Sequence, residues 1–369
     1  MAKKKDKVGI GIIGCGKISQ AYFDGAKMFK VLNIVACADI NMTAAKTKAA
    51  ENGCQAQTVK ALLANRKIDL VINLTLPAVH AEVSCQILQA GKHVHCEKPL
   101  AVTLEDGKAV LDLAHKKGLL VGCAPDTFLG AGLQTCRKLI DDGWIGNVTS
   151  GTAFMLSSGP ESWHPNPGFY YLKGAGPMFD MGPYYLTALV HLLGPAKKVC
   201  AITSRATNER IATCKEHYGE KLPVEVPTHY SGTIEFHSGA VISATLSFDV
   251  RNSSHSPIEL YGSQGTLKVP DPNTFGGPIE VFNTANSDWT PQAFSHQYHS
   301  NSRGIGAADM AHAILGNRPH RASGELAYHV LEIMHAFEKS SNNSRHVTIK
   351  SKPQRPAPLP PHLTYGLLD

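Results

Sequence analysis

Two groups suited to acid–base chemistry, Glu97 and Lys98, are adjacent in the chain and are followed by a proline. They come directly after a short apolar run at residues 93–96, which is typical of a buried strand. A lysine ammonium at the end of such a strand can hold a substrate hydroxyl and stabilise a developing alkoxide. The alternative is an exposed ion pair of little energetic value. The pair therefore predicts a reactive site centred on Lys98.

A second chemical motif is the glycine turn between an apolar run at residues 8–13 and a helix-forming segment at 17–28. Gly14 permits a tight turn, and Gly16 lets backbone N–H groups approach a pyrophosphate at the positive end of the helix. The alternative is a glycine turn in some other α/β fold. The motif predicts a dinucleotide site that includes Gly14, Cys15, Gly16, Lys17 and Ile18.

Asp39 ends the second apolar run, about 20 residues after the turn, where dinucleotide sites carry an acidic residue. Its carboxylate can accept hydrogen bonds from both ribose hydroxyls and would repel the 2′-phosphate of NADP. No arginine follows at positions 40 and 41. The sequence therefore predicts NAD as the cofactor; the alternative is that Asp39 only caps the next helix.

Strand and helix signals alternate along the first third of the chain, which predicts a doubly wound parallel sheet of the Rossmann type over residues 1–125. Asp126 follows the fifth strand and so faces the same edge of the sheet, either as a substrate-binding residue or only as a cap of the next helix. The predicted strands are 8–13, 33–38, 69–74, 93–96 and 119–122, and the predicted helices are 17–28, 42–52, 58–64, 77–90 and 103–117.

Extended segments dominate the rest of the chain, and Ser238-Gly239 predicts a hairpin turn between two of them. Residues 126–369 are therefore predicted to form an α+β domain with a large open, mainly antiparallel sheet. One face would be covered by helices and the other buried against a second subunit. The predicted strands are 147–157, 196–206, 228–237, 240–250, 256–261 and 265–269, and the predicted helices are about 126–142, 181–193, 304–315 and 323–340.

Three short segments resemble the signature of the Gfo/Idh/MocA oxidoreductases: residues 73–77 with His80, residues 90–94 and residues 96–100. The resemblance continues to residues 262–267 and implies a Rossmann domain followed by an α/β domain whose open sheet joins subunits into a homodimer or homotetramer. It also implies a cis peptide bond before Pro99. The residues that it implies at the cofactor are Leu74, Thr75, Leu76, Pro77, His80, Glu97 and Lys98.

Residues 180–187 correspond to a family segment that often reads Asp-x-Gly-x-His-x-x-Asp, in which the histidine accepts the proton. This chain keeps Asp180 and Gly182 but has Tyr184 in the histidine position and Thr187 in the position of the last acid. The resemblance implies Lys98, Asp180 and Tyr184 as catalytic and substrate-contacting residues. Tyr184 would serve as the base if Lys98 lowers its pKa from about 10; the alternative is that Tyr184 and Tyr185 are packing residues.

Aromatic residues with polar neighbours at 161–173 suit a carbohydrate, because sugar C–H faces stack on rings while hydroxyls need hydrogen-bond partners. Arg303, just before a predicted helix, can supply a cation to a polyhydroxy or anionic substrate. Each of these residues has a structural role as its alternative. The substrate-binding candidates here are Trp163, His164, Tyr171, Lys173 and Arg303.

Composition favours an ordinary two-domain enzyme over other classes of protein. The 369 residues carry a net charge of +6, and the basic start at Lys3, Lys4, Lys5 and Lys7 is interpreted as a solvated end rather than a nucleic-acid patch. The nine cysteines are odd in number and include no C-x-x-C pair, which predicts a reduced cytoplasmic protein without a metal cluster. No apolar run reaches about 18 residues, so no membrane span is predicted.

The motifs together favour an NAD-dependent dehydrogenase that moves a hydride between nicotinamide and a secondary hydroxyl carbon of a sugar, glycoside or polyol. One alternative is an NAD-dependent glycosidase that oxidises a ring carbon transiently and accumulates no NADH. Another is a non-catalytic dinucleotide-binding regulator, against which the retention of Glu97, Lys98 and Asp180 argues.

Overall fold

The first part of the molecule is built on a six-stranded sheet in which every neighbouring pair is parallel. The computed structural model describes residues 6–285 and 288–369, so the Lys3, Lys4 and Lys5 tail lies outside the described residues. The strands, in the spatial order β3-β2-β1-β4-β5-β6, are β1 (Val8–Ile13), β2 (Leu32–Ala38), β3 (Gln55–Gln57), β4 (Leu70–Asn73), β5 (His93–Cys96) and β6 (Val121–Cys123). The helices are α1 (Ser19–Met28), α2 (Met42–Asn52), α3 (Val59–Ala64), α4 (His80–Gln89) and α5 (Leu104–Lys117).

This strand order confirms the predicted doubly wound sheet. The order reverses between β1 and β4, so the carboxyl ends of these strands flank the crevice in which such sheets bind ligands. The glycine turn follows β1, and the Glu97-Lys98 pair follows β5 at the same edge.

The second part is built on a mixed, mainly antiparallel sheet of nine strands in the order β16-β15-β14-β13-β7-β12-β11-β8-β17. Strands β7 and β12 pair in parallel, whereas the other neighbours are antiparallel. Strands β9 and β10 form a separate two-stranded ribbon. The elements are α6 (Ala131–Asp141), β7 (Val148–Leu156), α7 (Gly176–Leu193), β8 (Ala196–Ser204), β9 (Glu209–Ile211), β10 (Lys221–Pro223), β11 (His229–Phe236), β12 (Val241–Ser247), β13 (Ile258–Gly262), β14 (Gly265–Val269), β15 (Glu280–Asn283), β16 (Thr290–Pro291), α8 (Ile305–Gly316), α9 (Gly324–Asn343) and β17 (Val347–Thr348).

Three predicted helices differ from the observed ones. The segment predicted as one helix over 77–90 is a 3-10 turn at Pro77–Val79 followed by α4. The segment predicted as one helix over 126–142 is a 3-10 turn at Thr127–Leu129 followed by α6, and Asp126 does not cap either of them. The helix predicted at 181–193 begins five residues earlier and runs through Pro183. A proline removes one backbone hydrogen bond, but most of α7 is buried, and packing on the large sheet maintains the helix.

Helix α9 joins the two parts, because it packs on β8 of the large sheet and also on α5 and β6 of the first sheet. The proline-rich segment 353–361 contains no helix or strand. Its carbonyl groups at Pro356 and Pro358 accept hydrogen bonds from Arg137 and Arg321. Among the described residues, no helix is long and apolar enough to cross a membrane.

Candidate active site

The glycine turn after β1 forms an open cradle of backbone N–H groups. Gly14 has a φ of 101°, and a Cβ there would lie 2.5 Å from the Leu74 carbonyl oxygen, so this position requires glycine. A Cβ on Gly16 would meet no atom within 4 Å, so that side of the turn faces open space. No side chain caps the start of α1. Free N–H groups at the positive end of a helix suit the pyrophosphate of a dinucleotide.

The carboxylate of Asp39 is anchored to this turn. The Cys15 N–H donates to Asp39 Oδ2 at 2.7 Å, and the Asn41 N–H donates to Oδ1 at 2.8 Å. Each oxygen retains a lone pair that can accept a bond from a ribose hydroxyl. The helix α2 is capped by the Asn41 side chain and not by Asp39, and the adjoining Ile40 is 100% exposed. Asp39 is therefore free to contact a ligand.

Buried hydrogen bonds hold the loop after β4 in place. The Asn73 amide donates to the His80 carbonyl at 3.0 Å, and its Oδ1 accepts from the Thr75 hydroxyl at 2.7 Å. Leu76, three residues beyond the strand, is exposed toward solvent. Asn73 thus shapes a loop that presents Leu76 and Pro77 beside the glycine turn.

His80 connects this loop to the turn that carries the lysine. Its Nδ1 lies 2.7 Å from the Pro99 carbonyl oxygen and its Nε2 lies 2.9 Å from the Thr75 carbonyl oxygen. Both partners are acceptors, so only the doubly protonated ring can donate to both. Burial lowers the pKa of His80, but Cys96 and the two carbonyl groups outweigh it and raise the pKa to about 9. The ring is 1% exposed and offers no free nitrogen to a ligand.

The Lys98 side chain is held by Asp180. Its Nζ lies 2.9 Å from Asp180 Oδ1 and 2.6 Å from the Asp180 carbonyl oxygen. The same ammonium lies 5.2 Å from the centre of the Tyr184 ring. Burial lowers the pKa of Lys98, but Asp180 and Tyr184 raise it by more, so the lysine is a cation. The Lys98–Pro99 peptide bond is cis, as the resemblance implies.

The other acid of the motif, Glu97, accepts a hydrogen bond from the protein on each of its oxygens. Its Oε1 accepts from the Tyr22 hydroxyl at 2.7 Å, and its Oε2 accepts from the Lys98 N–H at 2.9 Å. Tyr22 lies on α1, in the helix that begins at the glycine turn, and is buried. Tyr22 could not be recognised from the sequence, since a buried tyrosine on a helix gives no sign of its partner. The contact ties the dinucleotide helix to the backbone of Lys98.

Tyr184 lies between two cations, yet its pKa is raised and not lowered. Burial raises the pKa most, whereas Lys98 and Arg303 lower it. The expectation that Lys98 brings the pKa of Tyr184 below about 10 is therefore wrong for this site, because desolvation of the phenolate outweighs both cations. The hydroxyl is protonated at neutral pH.

Arg303 reaches Tyr184 from the start of α8, and Asp126 fixes that start. The guanidinium of Arg303 lies close enough to Tyr184 to lower the pKa of its hydroxyl, although burial outweighs this effect. The Oδ2 of Asp126 accepts from the Gly304 N–H at 2.9 Å and from the Gly306 N–H at 3.0 Å. Burial raises the pKa of Asp126 to about 6 despite these donors. Asp126 thus caps α8 and not the helix that follows it in the chain.

The segment 159–175 forms an aromatic rim. Trp163 is 65% exposed, and its ring meets those of His164 and Tyr170 with centroids 5.5 and 6.2 Å apart. Burial and Asp180 raise the pKa of Tyr170 to about 12, with Lys98 opposing them. Its neighbour Tyr171, and not Tyr170, is the residue that the sequence predicts at the substrate.

Tyr171 and Lys173 lie away from the Lys98–Asp180 pair. Tyr171 is 0% exposed and its ring packs 5.6 Å from the guanidinium carbon of Arg210. Lys173 is exposed on the surface. Tyr170 and Tyr171 are adjacent in the 3-10 turn Gly168–Tyr171, and the centroids of their rings lie 6.4 and 6.2 Å from that of Phe248. Within residues 6–285 and 288–369, no group of three or more His, Cys, Asp or Glu side chains is arranged to hold a metal ion.

Comparison with known proteins relates both parts of the chain to one family. Residues 8–124 match the oxidoreductase family with an NAD-binding Rossmann fold, and residues 133–268 match the Gfo/Idh/MocA C-terminal domain. Inositol 2-dehydrogenase of Rhizobium meliloti is 31% identical over 268 residues, which cover 70% of this chain and 74% of that protein. D-glucoside 3-dehydrogenase of Escherichia coli is 28% identical over 269 residues, covering 69% and 75%.

Levoglucosan dehydrogenase of Pseudarthrobacter phenanthrenivorans is 28% identical over 215 residues, and this match spans 53% of the chain and 54% of that relative. Solved structures match the fold over a larger part of the chain. A levoglucosan dehydrogenase complexed with NADH has a TM-score of 0.79 at 22% identity, covering 94% of this chain and 100% of that one. With the two sheets and the turns that carry Gly14 and Lys98 in place, these matches identify the chain as an NAD(P)-binding oxidoreductase that belongs to the Gfo/Idh/MocA family.

Proposed function

We propose that the protein is an NAD-dependent dehydrogenase that interconverts a secondary hydroxyl and a carbonyl on a sugar, glycoside or polyol. The observation that carries this proposal is the Lys98 ammonium, held 2.9 Å from Asp180 Oδ1 beside the Tyr184 ring. The three groups lie at the sheet edge that also carries the glycine turn. Such an arrangement offers both hydrogen-bond donors and positive charge to a substrate oxygen.

The residues present fit a nicotinamide dinucleotide. The uncapped start of α1 and the open side of Gly16 suit its pyrophosphate, and Asp39 suits its ribose. The exposed apolar side chains of Ile40 and Leu76 flank the same crevice and suit its rings. When bound, the dinucleotide supplies hydride transfer. Because Asp39 is anionic and no arginine stands at positions 40 and 41, NAD is preferred to NADP.

The proton is handled by this chain's own residues. In the carbonyl-reducing direction the Tyr184 hydroxyl, which burial keeps protonated, donates its proton to the substrate oxygen. Lys98 donates a hydrogen bond to the same oxygen and stabilises the alkoxide as it forms. In the oxidising direction Tyr184 must first lose its proton, so oxidation of an alcohol becomes faster as the pH rises. Asp180 fixes the direction of the ammonium.

A carbohydrate substrate is supported by the aromatic rim and by the relatives. Trp163, His164 and Tyr170 pack against one another and offer ring faces and edges, and sugars present C–H faces to such rings. The related proteins named above act on inositol, on a D-glucoside and on levoglucosan, all of which carry several secondary hydroxyls. A homodimer or homotetramer is proposed to form through the uncovered face of the nine-stranded sheet, where Ile202 is 74% exposed.

The test is a panel of inositols, free sugars and glycosides incubated with NAD or with NADP while reduced cofactor is measured. We expect NADH to accumulate with at least one polyol, more slowly or not at all with NADP, and Asp39→Ala to narrow the preference. Release of an aglycone without NADH accumulation would instead indicate the redox-neutral glycosidase. Tight dinucleotide binding with no turnover of any compound would contradict an enzymatic role.

A further inference from the structure

Three of the nine cysteines meet beneath the glycine turn; we call Cys15, Cys37 and Cys54 the thiol cluster. The Sγ atoms of Cys37 and Cys54 are 3.9 Å apart. The Cys15 thiol interacts with Cys37 and points at the Ala38 carbonyl oxygen, 3.6 Å away. All three are free thiols. Cys37 and Cys54 are therefore the pair of thiols placed to react with each other.

The thiol cluster is attached directly to the cofactor crevice. Cys37 lies on β2 two residues before Asp39, and Cys15 lies in the glycine turn with its N–H bonded to Asp39 Oδ2. Cys54 follows Gly53, which ends α2 with a φ of 68°, and precedes the edge strand β3. A movement of Cys37 toward Cys54 therefore pulls on the end of β2, where the ribose-binding carboxylate is anchored.

Exposure and hydrogen bonding give the three thiols different roles. Cys15 and Cys37 are buried, whereas Cys54 is half-buried at the sheet edge, so a small oxidant reaches Cys54 first. The contact with Cys37, whose sulfur accepts a hydrogen bond from the Cys54 thiol, lowers the pKa of Cys54. A thiolate that is partly exposed and has a second thiol beside it is the usual arrangement of an oxidation-sensitive cysteine.

We propose that Cys54 and Cys37 form an oxidation site for hydrogen peroxide, and that the resulting disulfide weakens dinucleotide binding. The Cys54 thiolate attacks one peroxide oxygen, the O–O bond breaks and hydroxide leaves, which converts the thiol to a sulfenic acid. The Cys37 sulfur then attacks the Cys54 sulfur, the S–O bond breaks and water leaves. Two thiols are oxidised and one peroxide is reduced to two waters. Closing the sulfurs to about 2.05 Å displaces the end of β2.

The test uses the full-length protein with and without hydrogen peroxide, followed by thiol titration, peptide mass mapping and NADH titration by fluorescence. We expect the loss of two thiols, a Cys37–Cys54 cross-link, and NADH binding weakened by about threefold or more, as for a lost hydrogen bond. Dithiothreitol should restore both properties. Cys54→Ser should resist both changes, whereas Cys85→Ser, a half-buried thiol in the same sheet domain, should respond as the wild type does.

Absence of the cross-link would overturn the proposal, and so would a cross-link that leaves NADH affinity unchanged. Weakened binding that persists in peroxide-treated Cys54→Ser would assign the effect to another residue and overturn it as well. If Cys54→Ser fails to fold, the wild type alone decides the question. Saturating NADH must then slow formation of the cross-link, because disulfide and dinucleotide favour different positions of β2; equal rates would contradict the coupling.

Discussion

At the scale of single residues, the ionisation of Tyr184 determines what the site can do. Lys98 and Arg303 both favour the phenolate, but burial has the larger effect and keeps the phenol protonated. Lys98 is a cation as well. The resting site thus presents two donors to a substrate oxygen, which is the state required to reduce a carbonyl. Oxidation of an alcohol needs the same site after it has lost a proton.

Replacing Tyr184 by phenylalanine removes only the hydroxyl. We expect kcat to fall by about 10²-fold or more in both directions, because a positioned proton donor contributes that much, with NADH affinity nearly unchanged. The wild-type oxidation rate should rise with pH, and this rise should be lost in Tyr184→Phe. The matched control is Tyr185→Phe, since Tyr185 is buried and faces Asp271. Full activity in Tyr184→Phe together with a damaged Tyr185→Phe would show that the wrong tyrosine has been chosen.

Because His80 is charged in the folded protein, we expect the stability of the fold to depend on pH. Its pKa of about 9 in the folded protein exceeds the value of about 6.5 expected when unfolded. The imidazolium therefore stabilises the fold fully below pH about 6.5, and this contribution is lost as the pH rises through about 9. Cys96 on β5 is the titratable side chain that acts on the ring. His80→Gln, whose single amide nitrogen cannot reach both carbonyls, should lower the melting temperature most near pH 6 and least near pH 10. A pH-independent difference would contradict a charged His80.

The sequence could predict the site residues that belong to a recognisable motif. Lys98 lies 82 positions before Asp180 in the chain, and it comes together with Asp180 and Tyr184 as expected. Asp39 is anchored to the glycine turn. The partners that hold them were not predictable. Tyr22 contacts Glu97 across 75 positions of the chain, and such a pairing depends on how α1 packs. The choice between Tyr170 and Tyr171 depends on the geometry of one 3-10 turn.

At the scale of elements, the start of α8 is the least expected part of the site. A Cβ on Gly25 of α1 would lie 1.7 Å from the Arg303 carbonyl oxygen, so the backbones of α1 and of the segment before α8 are in direct contact. Asp126, after β6, holds the other side through Gly304 and Gly306. Three elements therefore determine where Arg303 meets Tyr184.

This arrangement predicts that Asp126→Ala lowers stability and raises KM more than Asp126→Asn does. Asp126→Ala removes the cap of α8 and should cost about 0.5–2 kcal/mol of unfolding free energy, together with a raised KM through misplacement of Arg303. Asp126→Asn keeps one acceptor oxygen and should be milder in both respects. Denaturant unfolding and steady-state kinetics measure the two effects. Equal damage from both substitutions would indicate that the negative charge, and not the cap, is what matters.

The same scale explains which elements could be predicted. The helices and strands of the first sheet have strong periodicity and clear capping residues, such as Thr103 before α5 and Gly118 after it. The short strands β3, β9, β10 and β15–β17 were missed, because two to four residues carry too little pattern. The parallel pairing of β7 with β12 is set by the packing of distant segments.

At the scale of the whole molecule, two sheets share one site because α9 packs against both of them. Lys98 comes from the first sheet, whereas Asp180 and Tyr184 come from α7 on the second. The salt bridge between Lys98 and Asp180 therefore crosses between the two parts. We propose that a hydride moves between a carbohydrate carbon and nicotinamide at this junction.

The most direct test of this hydride transfer uses the polyol that proves to be a substrate in the panel above, labelled with deuterium at its reacting carbinol carbon. The protein is incubated with this substrate and NAD, and the reduced cofactor is analysed by mass spectrometry. With the wild type we expect NADH that is one mass unit heavier than unlabelled NADH. With Lys98→Ala we expect little or no reduced cofactor, although the NAD affinity of this variant should be nearly normal. Unlabelled NADH from the wild type, or undiminished label transfer by Lys98→Ala, would contradict the proposed hydride transfer.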